Sequence, residues 1–77
     1  MMYVCGACTC LHFNGDYSGT DWSAERAEEI AENLLDYEIF TDEDPHFVMY
    51  RCLGCGERGG NYYAAGYYDH DGKLVTN

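Results

Sequence analysis

Between Trp22 and Leu35 the apolar positions fall at helical spacing: Ala24, Ala27, Ile30, Ala31, Leu34 and Leu35, with Trp22 at the entrance. Recurrence at three and four residues predicts one amphipathic helix. Its opposite face carries Glu25, Glu28, Glu29, Glu32 and Asp36. Thr20, Asp21 or Ser23 supplies the N-cap, because a short side-chain oxygen can accept from the free amides of the first turn. The rest of the chain has the pattern of short strands. Residues 2–13 read as a strand, a tight C-x-x-C turn and a second strand over Thr9-Cys10-Leu11-His12-Phe13, and Asn14-Gly15-Asp16 signals a turn. Residues 37–41 form a short connector, and Asp42-Glu43-Asp44-Pro45 is an acidic turn in which proline stops regular structure. Residues 46–51 predict a strand, 54–60 a loop, 61–69 a tyrosine-rich strand and 73–76 a last short strand after the Asp71-Gly72 turn. The expected class is α+β: a small antiparallel sheet crossed by one helix, in a single domain over residues 1–77.

The cysteines change that picture most. Four of the five stand as C-x-x-C pairs, Cys5 with Cys8 and Cys52 with Cys55. Such a turn aims two sulfurs at one point, and two turns supply the four soft ligands that zinc prefers. Gly54 and Gly56 flank Cys55 and let the backbone amides turn toward the sulfurs. Disulfides are the competing reading. An odd cysteine count and no basic-then-apolar leader over Met1-Met2-Tyr3-Val4 point instead to reduced thiols in a cytoplasmic setting. No stretch approaches the roughly 20 apolar residues of a membrane span. A 77-residue chain also needs a staple, because a domain near this size buries only about 60% of its unfolded surface.

The two knuckles and their flanking strands resemble the zinc-ribbon family and, less closely, rubredoxin. Those families usually show C-P-x-C-G; here both knuckles lack the proline and the first lacks the glycine. The resemblance implies a four-thiolate site at Cys5, Cys8, Cys52 and Cys55 holding Zn2+, with iron the other ion such a site takes. Cys10 and His12 alternate along the expected strand and so share a face. With His46 and His70 they offer a second ligand set, against the commoner reading of a small buried cysteine and exposed histidines.

Charge narrows the function. The chain carries net −10. Eleven of its 14 acids lie between Asp16 and Asp44, where Arg26 is the only base, so this segment between the knuckles holds the whole net charge. Phosphate contact needs clustered lysine and arginine, which excludes direct nucleic-acid binding. Glu25, Glu28, Glu29, Glu32 and Asp36, with Asp42, Glu43 and Asp44, form the candidate partner-binding set. On a helix the first five repeat about every 5–6 Å along the axis, close to the phosphate spacing of a single strand. The ordinary alternative is a solvated face that keeps a small protein soluble. Eight tyrosines are a further signal. Along the tyrosine-rich strand one face is expected in the core and the other in a contact surface, which includes a homodimer.

Catalysis finds little support, since four cysteines close a zinc site that catalysis would leave open. In size, acidity and lack of catalytic residues the chain resembles phage-encoded anti-defence proteins, including metal-binding anti-CRISPR proteins. That resemblance implies a non-enzymatic inhibitor acting in a bacterial host cytoplasm. Its partner would be a basic nucleic-acid-handling protein such as a Cas9-type effector, with target DNA loading blocked. A zinc-ribbon transcription or assembly adaptor and a rubredoxin-like electron carrier are the alternatives.

Overall fold

The computed structural model describes residues 2–76; Met1 and Asn77, the ends of the expected 1–77 domain, lie outside the described residues. Seven elements follow in order: β1 (Tyr3–Cys5), α1 (Gly6–Asn14), α2 (Ala24–Asn33), β2 (Glu38–Ile39), β3 (His46–Arg51), β4 (Arg58–Tyr68) and β5 (Leu74–Val75). The class is α+β, as the sequence pattern predicts, with a five-stranded antiparallel sheet. β4 is its common strand. It pairs antiparallel with β1 (Cys5 opposite Tyr62), β3 (His46 opposite Tyr62), β2 (Ile39 opposite Ala65) and β5 (Tyr67 opposite Val75).

One predicted strand is a helix. Residues 9–13, expected extended, lie inside α1. Cys5 is the N-cap, and its Sγ accepts from the Cys8 amide at 3.4 Å. Thr9 Oγ1 donates to the Cys5 carbonyl at 2.8 Å. Gly15 ends the helix with φ 67°, its amide donating to the Leu11 carbonyl at 2.8 Å. Asn14-Gly15 therefore serves as a helix C-terminus rather than a hairpin turn; both need the left-handed backbone that glycine adopts without strain. The spacing of buried Cys8 and Leu11 is the helical signal within this stretch.

α2 forms where its periodicity places it. Ser23 is the N-cap, its Oγ accepting from the Arg26 amide at 3.1 Å. Ala27, Ile30 and Leu34 face the core. The helix ends at Asn33, so Leu35 is 72% exposed rather than buried and Asp36 lies in the following turn. The nearest element to α2 is α1, and α1 in turn lies against β1 and β4. The expected single helix across the sheet is thus two stacked helices. The core joins Val4, Cys8, Ile30, Leu34, Cys52 and Tyr62.

The tyrosines of β4 do not divide by face: Tyr63 and Tyr67 are both half-buried. Tyr62 and Tyr68 stand at positions of the same parity, yet Tyr62 is 4% exposed and Tyr68 59%. Ala65 still belongs to the core, and Tyr68, the last residue of β4, lies outside it. Tyr62 Oη donates to the Glu57 and Gly59 carbonyls at 2.9 and 3.2 Å, which satisfies its buried hydroxyl.

Candidate metal centre

Two different devices bring the four thiols together. Cys5 closes β1 and caps α1, which sets Cys8 in the first helical turn. Thiolates there sit at the positive end of the helix dipole, which favours the charged form. The second pair lies in the turn joining β3 to β4. There the Cys52 amide donates to the Glu57 carbonyl at 2.8 Å and the Gly56 amide to the Cys52 carbonyl at 3.0 Å. Between the devices, the Leu53 amide donates to the Tyr3 carbonyl at 3.0 Å, which fixes the knuckle to β1.

The sulfurs of Cys5, Cys8, Cys52 and Cys55 all lie within 4.8 Å of one another. Cys5 Sγ to Cys55 Sγ is 3.8 Å, and Cys52 Sγ to Cys8 Sγ is 3.6 Å. A tetrahedral ion with bonds of about 2.3 Å needs its sulfurs about 3.8 Å apart. The separations fit a four-coordinate thiolate site. They are far longer than the roughly 2.05 Å of a disulfide, and all five cysteines are free thiols.

Backbone amides orient the sulfurs. Cys52 Sγ accepts from the Cys5 amide at 3.3 Å and the Gly54 amide at 3.4 Å. Donors of this kind stabilise thiolates and position them around a cation. The thiols also shift one another's ionisation. Hydrogen bonds from Cys5 and Cys8 pull the Cys52 thiol well below its ordinary range. The same bond to Cys52 pushes Cys5 up to about 12, and hydrogen bonds with Cys5 and Cys52 push Cys8 up. A bound cation would displace the thiol protons and neutralise the thiolates.

Support from α2 was not legible in the pattern. Arg26 Nη2 donates to the Cys55 carbonyl at 2.9 Å, and Asn33 Nδ2 donates to the Gly54 carbonyl at 3.0 Å. One helix thus holds the knuckle from its first turn and its last residue. Arg26 also pairs with Glu29. Nothing in sequence separation links Arg26 to a cysteine 29 residues away; its place as the only base among eleven acids was the available hint.

The other expected ligands do not assemble. Among the described residues, the four cysteines are the only group of three or more metal-ligating side chains gathered within reach of one ion. Two positions apart on α1, Cys10 and His12 point about 200° apart rather than to one face. Cys10 Sγ is met by Asn14 Nδ2 at 3.8 Å, and His12 packs edge-on against Phe13 at 5.0 Å. His46 opens β3, and His70 sits 3.8 Å from Asp71.

The acidic candidates occupy two regions. Glu25, Glu28, Glu29 and Glu32 are exposed on α2, with Asp36 exposed just beyond it; Asp42, Glu43 and Asp44 are exposed between β2 and β3. No helix among the described residues is long and apolar enough to cross a membrane.

Acid should empty the metal site, since protons compete for thiolates and affinity falls as pH falls. Metal release followed with a chromogenic chelator should therefore rise steeply as pH is lowered from about 7 to about 5. Release independent of pH would contradict thiolate ligation.

No protein-family model, no curated protein and no solved structure matches this chain.

Proposed function

We propose that this protein is a non-enzymatic, zinc-stapled acidic binder that occupies the nucleic-acid surface of a basic partner, a Cas9-type effector being the class it suits. The observation that carries this reading is exposure. All eleven acids between Asp16 and Asp44 are exposed, and the single base among them, Arg26, is turned to Glu29 and the knuckle. The charge is therefore presented rather than neutralised. A concentrated negative surface steers toward positive clefts and competes there with phosphates. In a Cas9-type effector the guide–target duplex lies in a positively charged channel, and an acidic helix seated there would block DNA loading.

The metal centre has a supporting part. It holds α2 through Arg26 and Asn33, so the acids are displayed on a rigid element, which reduces the entropy lost on docking. Glu25 and Glu29, and Glu28 and Glu32, are like-charge neighbours one turn apart, and each such pair costs a few tenths of a kcal/mol. A face built for its own stability would pair acids with lysines.

Affinity capture from a bacterial lysate containing candidate effectors, washed at low and high salt, tests the reading. A basic DNA-handling protein should be retained at low salt and lost at high salt. Reversal of Glu25, Glu28 and Glu32 to lysine should abolish capture while leaving metal content unchanged. Glu29 is left in place because its partner Arg26 holds the knuckle. Equal capture by the reversed protein would refute charge mimicry. Salt-insensitive recovery of RNA polymerase would point to an adaptor, and a red, redox-active product to an electron carrier.

A further inference from the structure

We propose that the free edge of β3 is a self-association surface on which a second copy of this chain pairs antiparallel. This inference is independent of the acidic face of α2. Among the described residues β3 forms a ladder only with β4. Its C-terminal end is engaged by β1, where Tyr3 bridges Cys52 and the Tyr3 ring stacks on Tyr50 at 5.6 Å. Residues 46–49 of the free edge remain open. The strand is also unusually bare: Phe47 is 72% exposed, Met49 62% and Tyr50 49%, and Val48 alone is half-buried. An open edge with apolar side chains on it is a template for another strand, and β3 carries none of the lysines that commonly block such pairing.

The charge at its two ends identifies the occupant. Asp42, Glu43 and Asp44 precede β3, while Arg51 closes it and faces Arg58 across the ladder. An antiparallel copy sets the acidic end of each chain beside the arginine end of the other. A parallel copy sets acid beside acid. A two-fold axis through the sheet keeps side-chain faces, so paired positions must share parity. Centred on Val48, the pairing brings Phe47 beside Met49 of the second copy; β3 shifts register between Val48 and Arg51, so past that bulge it is the Arg51 end as a whole that lies beside the acids at 42–44 of the other chain. Apolar contact is central and opposite charges flank it. This local complementarity offsets the repulsion between two chains of net −10.

Sedimentation velocity of the metal-loaded protein from about 5 to about 500 micromolar, the range that brackets a weak dimer, tests the proposal. A concentration-dependent dimer is expected. Phe47→Lys should weaken it about tenfold or more, as loss of a central aromatic does. Glu43→Arg and Arg51→Glu should each weaken it, and the double variant should recover association. Metal content and circular dichroism report whether each variant is folded. Arg51 also donates to the Gly56 carbonyl at 3.1 Å, so Phe47→Lys decides if the Arg51 variants misfold. A wild-type monomer throughout, or a dimer that Phe47→Lys leaves intact, overturns the proposal. So does protection of β3 from hydrogen exchange only when a different protein is added.

Discussion

Replacing Cys52 by serine is expected to abolish cooperative folding. Cys52 is 3% exposed, and its sulfur is the hub of the cluster. It sits 3.6 Å from the Cys8 sulfur and accepts from the amides of Cys5 and Gly54. Serine is a poor zinc ligand at neutral pH and would leave three thiolates around an open position. Structural zinc contributes on the order of 10 kcal/mol or more of apparent binding energy, comparable to the whole stability of a small domain, about 5–15 kcal/mol. A loop of 43 residues between Cys8 and Cys52 also loses its closure; on the model used for disulfides that constraint is worth roughly 4 kcal/mol. Thermal unfolding followed by circular dichroism should lose its sigmoidal transition, and chelation of the parent should do the same. Cys10→Ser, outside the cluster, should keep both metal and transition. A Cys52→Ser protein that melts cooperatively with one zinc per chain would end the staple argument.

Gly54→Ala is expected to damage the core and the thiol cluster together. A Cβ at Gly54 would stand 2.8 Å from the Cys8 sulfur, 3.0 Å from Ile30 Cγ2 and 3.2 Å from Cys8 Cβ. Neither neighbour can move away cheaply, since Cys8 and Ile30 are both fully buried. Overpacking a close-packed core costs about 1–3 kcal/mol, and here the atom displaced belongs to the four-thiol cluster that could hold the ion. Zinc affinity should fall about 10-fold to 100-fold, as when ligand-orienting contacts are lost, and the melting midpoint should drop. Gly6→Ala makes the control, because nothing lies within 4 Å of a Cβ there. Equal zinc affinity for the two alanine variants would show that the knuckle does not pack as described.

The amino-acid sequence by itself determined the parts of this protein that rest on local chemistry. Helical spacing from Ala24 to Leu34 and a serine cap specified α2, because periodicity and capping act within a few residues. The C-x-x-C spacing specified two thiol pairs, and the density of Glu and Asp from Asp16 to Asp44 specified an acidic segment. β3 also lies where its pattern puts it, at His46–Arg51. The stretch after Cys8 shows where local reading ends. Thr9 to Phe13 alternates like a strand and spaces Cys8 and Leu11 like a helix, and Asn14-Gly15 suits a hairpin or a helix end. Only packing of Cys8 and Leu11 into the common core selects the helix, since that choice depends on residues distant in the chain. Tertiary structure alone also decided that the four sulfurs meet, that Arg26 and Asn33 hold the knuckle, and that Gly54 has no room for a side chain. Each of these joins residues some 20 to 50 positions apart, and contacts at that range are set by how the layers stack, which no short window of sequence contains.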